Sequence, residues 1–120
     1  MTPDLLETIE REIERLRSRY ATLLRESPRS RELTARWILE ARGLRWFVSF
    51  DQQVLEPDID VEIASEILVV RARPVSDEQP TLLGLLPVPP GFDIDDPMIQ
   101  YSEGSLEIRI RRRGERGGAP

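Results

Sequence analysis

The side chains in this chain that could do chemistry are carboxylates and guanidiniums. Asp93, Asp95 and Asp96 crowd three acids into one short stretch, and oxygen ligands clustered that closely could hold a hard cation. The spacing lacks the loop glycine and terminal bidentate acid of a calcium loop, so it reads as a solvated acidic turn. Arg109, Arg111, Arg112, Arg113 and Arg116 could touch phosphate. No aromatic residues are interleaved with them and the chain is acidic as a whole, so they read as a solvated strand end and no nucleic-acid partner is expected. Histidine and cysteine are both absent, which removes the usual metal ligands and nucleophiles together. The sequence therefore predicts a protein that is not an enzyme and carries no metal or other cofactor.

With catalysis set aside, the elements decide. The 120 residues suit one domain with a short appendage. Seventeen basic residues, all arginine, stand against 22 acids, for a net charge of −5. That charge favours solubility and opposes general nucleic-acid binding. No disulfide can form, and no apolar run is long enough for a signal peptide or a membrane span. The expected location is cytoplasmic, with no membrane partner.

From Asp58 to Arg113 apolar and charged residues alternate. Asp58-Ile59-Asp60-Val61-Glu62-Ile63 puts aliphatics on one face of an extended chain and acids on the other, and Ser105 to Arg111 repeats the pattern. Glu66 to Arg73 is nearly all apolar, as a strand covered on both faces should be. Thr81 to Val88 is an apolar strand broken by Gly84, Phe92 to Pro97 an acidic loop, Met98 to Ser102 a short strand, and Glu103-Gly104 a turn. These patterns describe a β-sandwich. Leu33, Trp37, Ile38 and Ala41 could line a short helix stopped by Gly43; alternatively Arg36–Ala41 and Leu44–Phe50 form a hairpin around Arg42-Gly43, the favoured reading, and the alternation of Trp46, Val48 and Phe50 makes the second half a strand either way. Asp51 to Pro57 is expected to be a loop.

Thr2-Pro3-Asp4 is a good helix start. Leu6, Ile9, Ile13, Leu16, Tyr20 and Leu23 follow at steps of three and four, a short heptad seam, and Ser27-Pro28 ends the helix. Something must cover this seam: the chain's own sheet or a second chain. The domains read as residues 1–28, an amphipathic helix for assembly or client contact; 29–113, the sandwich; and 114–120, a disordered tail.

Val88-Pro89-Pro90-Gly91-Phe92-Asp93, then Met98-Ile99-Gln100-Tyr101, then Glu103-Gly104-Ser105-Leu106-Glu107-Ile108 resembles the small heat-shock protein (α-crystallin domain) family. Asp58 to Ile63 with Leu68-Val69-Val70 matches its preceding strand pair, and Glu40 sits where the family carries an acid before its next strand. The resemblance covers residues 36–113. It implies a mainly β fold, an immunoglobulin-like antiparallel sandwich of α-crystallin type with an N-terminal amphipathic helix. The implied function is an ATP-independent holdase of the stress response that binds partly unfolded proteins and self-associates as a dimer or small oligomer. The implied binding surface is a groove between two edge strands, carrying Ile59, Val61 and Ile63 on one and Met98, Ile99 and Tyr101 on the other.

This sequence departs from the family pattern in four places. Gln52-Gln53-Val54 replaces a Leu-Pro-Gly, and Gly84 falls where animal members carry a basic residue used in subunit pairing. The connection Val75–Gln79 is too short to hold the strand that bacterial and plant members exchange. Ile108-Arg109-Ile110 has the letters of the family's groove-plugging tail but lies within the last strand, so a large shell built through that tail is not expected. These departures keep open a second reading, an interaction or scaffold module of the same fold that binds one specific protein partner.

Overall fold

The computed structural model describes residues 5–26 and 29–114. Two helices, α1 (Leu5–Tyr20) and α2 (Thr22–Arg25), precede eight strands. These are β1 (Ser30–Glu32), β2 (Thr34–Glu40), β3 (Gly43–Ser49), β4 (Val54–Ala64), β5 (Ile67–Pro74), β6 (Thr81–Pro87), β7 (Met98–Ser102) and β8 (Ser105–Arg111). They form two four-stranded sheets in the orders β1-β6-β5-β4 and β2-β3-β8-β7.

The alternation in the sequence becomes the sandwich core. Leu68, Val70 and Ala72 of β5 and Leu82 and Leu86 of β6 face Leu44, Trp46 and Val48 of β3 and Leu106, Ile108 and Ile110 of β8. Trp46 gives its indole N–H to the Pro87 carbonyl at 3.1 Å, so the largest core side chain leaves no buried donor unpaired. The other faces of β5 and β6 carry a second cluster, Ile67, Val69, Leu83 and Leu85, against which Tyr20, Leu23 and Leu24 pack. Burial on both sides is why β5 reads as an unbroken apolar run.

Residues 34–49 form the hairpin, not the helix. Its turn is Ala41-Arg42, one position earlier than the sequence suggested, because Gly43 pairs with Glu40 and lies hard against β8. Two expectations are corrected. Residues 54–57 belong to β4 and not to a loop: Val54 pairs with Pro74 and is buried, and a bulge takes up the irregular register before Ile59. The amphipathic helix is not continuous, since it breaks at Ala21 before the short α2. β1, a three-residue strand parallel to β6, carries no periodic signal of its own.

Of the two coverings left open for the seam, Ile9, Ile13 and Leu16 have the chain's own domain: all three are buried, and Ile9 and Ile13 join the main core. Leu6 is 46% exposed. The seam is pinned at its far end by Arg17 to Glu32 and by Arg19 and the Tyr20 hydroxyl to Glu66. On the helix surface the Arg15 guanidinium donates to Glu12 and holds its carboxyl below the ordinary carboxylate range. The expected cap at residues 2–4 and stop at 27–28 lie outside the described residues, as does the tail beyond Gly114.

Candidate functional site

The two sheets end on one side in β4 and β7, each paired on one edge alone. In β4, Ile59, Val61 and Ile63 pair with the core-facing Ala72, Val70 and Leu68, so their side chains point between the sheets. In β7, Ile99 and Tyr101 pair with the core-facing Ile108 and Leu106 and point the same way. The gap between these strands is an open groove of about 230 Å³ lined by the aliphatic Ile59, Val61, Ile99 and Leu106 together with Glu56 and Tyr101. It meets a second hollow of about 540 Å³ at Tyr101, whose lining includes Phe50, Gln53, Val54, Leu55 and Glu103. The Tyr101 hydroxyl donates to the Val54 carbonyl at 2.8 Å, tying the two edge strands together where the hollows meet.

The structure brings together four of the six groove residues read from the sequence. Ile63 faces the same interior but lies beyond the hollow, 43% exposed. Met98 is a correction: it pairs with the outward-facing Arg109 and so turns to the opposite face from Ile99, where Arg111 contacts its sulfur at 3.5 Å. Adjacent residues of a strand cannot share a face. Leu106 and Glu56 were missed. Leu106 could have been found from its register opposite Tyr101; Glu56 enters through the bulge, which leaves no mark in the sequence.

No described element pairs with the free edge of either strand, so their outward backbone groups remain open to an added chain. The rim is acidic: Asp58, Asp60 and Glu62 project from β4, and among the described residues only Glu62 has a cation, Arg71, at 2.8 Å. Asp93, Asp95 and Asp96 lie in the loop before β7; the Asp93 amide donates to the Arg111 carbonyl. Arg112 and Arg113 continue β8 past its end, bonding through their amides to Arg42 and Gly91. No helix among the described residues is long and apolar enough to cross a membrane.

This arrangement is the α-crystallin fold, as found in small heat-shock proteins. The chain superposes on HSP18.5 from E. histolytica with a TM-score of 0.63 at 10% identity, over 75% of this chain and 96% of that one. Against heat shock protein 16.0 from Schizosaccharomyces pombe the TM-score is 0.63 at 12% identity, covering 76% and 73%. A small heat-shock protein from Xylella fastidiosa gives 0.59 at 17% identity, covering 73% and 92%. No family model and no curated protein matches the sequence itself.

Proposed function

We propose that the chain is an ATP-independent, non-enzymatic holdase that takes extended segments of partly unfolded proteins into the groove between β4 and β7. The observation that carries this reading is the groove itself: aliphatic side chains at alternate positions of two strands, with unpaired backbone beside them. An extended peptide presents side chains to one face at every second residue, so alternate aliphatics fit the hollow at Ile99 and Val61 while its backbone bonds to an open edge. Reversible apolar contact lowers the free concentration of aggregation-prone chains. The acidic rim keeps the loaded complex soluble and disfavours acidic segments.

A specific observation favours the second reading, a module for one protein partner. With Ile9, Ile13 and Leu16 buried at home, the helix stripe is not offered to clients, and the groove alone presents less apolar surface than a holdase using both would have. Suppression of aggregation of several unrelated clients separates the two. The holdase gives broad protection near stoichiometric ratios, and Ile99→Ser with Val61→Ser reduces it at least several-fold while circular dichroism is unchanged. Protection of no client by the parent chain overturns the holdase; protection unaltered by the substitutions overturns the groove as its site.

A further inference from the structure

The sandwich has four sheet edges among the described residues, and on three of them the stretch open to regular pairing is short or interrupted. β1 is three residues long and β7 five, while β4 carries Pro57, a bulge and a row of acids. β2 has none of these devices. It runs regularly for seven residues from Thr34 to Glu40, pairs with β3 alone among the described strands, and exposes Ile38 to 49%.

Its free backbone groups can be assigned. The Arg112 amide donates to the Arg42 carbonyl at 3.0 Å, flanking the Gly43–Arg111 pair, so Gly43 turns its own amide and carbonyl to Glu40. Hydrogen-bonded pairs alternate along an antiparallel ladder, so Thr34, Arg36, Ile38 and Glu40 bond to β3. Ala35, Trp37 and Leu39 point their backbone groups outward.

We infer that β2 pairs antiparallel with β2 of a second copy of this chain, about a twofold axis through Ile38. In this register Trp37 of one copy exchanges backbone bonds with Leu39 of the other, twice over. On the outward face Ile38 meets itself, and Arg36, stacked on its own Phe47, stands opposite Glu40 of the second copy on both sides of the axis, where the Glu40 carboxylate bridges to its own Arg45 as well. These are the non-hydrogen-bonded, closely spaced pairs, with Cα atoms about 4.5 Å apart. The neighbouring twofolds, through Trp37 or through Leu39, set Ile38 against Arg36 or against Glu40 and match no charges, so charge complementarity selects the register. An exposed ion pair adds little energy and serves here to choose the partner and its alignment. The two β2-β3-β8-β7 sheets then form one continuous sheet, with both grooves on the far sides from the axis. The interface is isologous and closes on itself.

The chain has no cysteine, so a single one reports proximity cleanly. Under mild oxidation Ile38→Cys is expected to form a disulfide-linked dimer, since its Cα separation falls within disulfide range, while Thr34→Cys and Ile99→Cys, far from their own symmetry mates, do not. In sedimentation, Arg36→Glu and Glu40→Arg singly set like charges opposite each other and raise the dimer dissociation constant at least tenfold; the combined charge swap restores it. A wild-type chain monomeric at every concentration, equal crosslinking at all three cysteine positions, or a swap that leaves dissociation as in the single variants while the fold is intact overturns the proposal. Groove variants leave the mass unaltered, so this result is independent of the client assay.

Discussion

Gly43 is buried because the β8 backbone runs against it: a Cβ placed there would stand 2.2 Å from the Ile110 carbonyl oxygen. Nothing but backbone is available to give way, so Gly43→Ala is expected to lower unfolding free energy by about 1–3 kcal/mol, the usual cost of overpacking. Gly84 makes the contrast, since a Cβ there comes to 3.4 Å of Leu33 Cδ1, a mobile side-chain end. Gly84→Ala should stay within about 1 kcal/mol of the parent, helped by reduced freedom of the unfolded chain. Urea denaturation of both variants measures the difference. Neither glycine's role was legible in the sequence, because a close approach is made by a strand distant along the chain. Gly104 was legible: its φ of +83° in the β7–β8 turn is the conformation its position before Ser105 called for. Met98 and Ile99 show the same divide. Alternation says they face apart, but which of them faces the groove depends on the register with β8.

α1 carries its meaning in a stripe. Ile13 is 3% exposed and joins the main core, so Ile13→Ala should cost about 2–5 kcal/mol in a chemical denaturation experiment. Particle mass should not change, because the contact lies within one chain; a drop in subunit count with unaltered stability would place the stripe between chains instead. Helical period identified the stripe, strand period identified β3, β8 and the second half of β4, and unbroken apolar runs identified β5 and β6, since all of these are local properties of the sequence. The bulge in β4, the short β1 and the break at Ala21 had no such signal. Each is imposed by what the segment packs on: Val54 by Pro74, β1 by the edge of β6, and α2 by the outer cluster on β5 and β6.

The molecule measures 52 × 31 × 21 Å, with a radius of gyration of 15.0 Å. A compact chain of this length has about 14 Å, so the shape is mildly extended. Its charge is arginine against carboxylate with no histidine between, and arginine stays protonated throughout the accessible range. Lowering pH therefore titrates acids alone, taking the net charge from −5 through zero near the isoelectric point of 4.9. Colloidal repulsion vanishes there, so light scattering should rise to a maximum near pH 5 and fall again at more acid pH. Alternation and helical period, written residue by residue, already determined that this chain builds two-faced strands and a striped helix, and composition removed histidine and cysteine chemistry. Only the tertiary structure decided that the stripe is spent on the chain's own sheets and that β4 and β7 leave a groove between them. A sequence period reports which side of an element is apolar; what comes to cover that side is a contact between residues far apart in the chain.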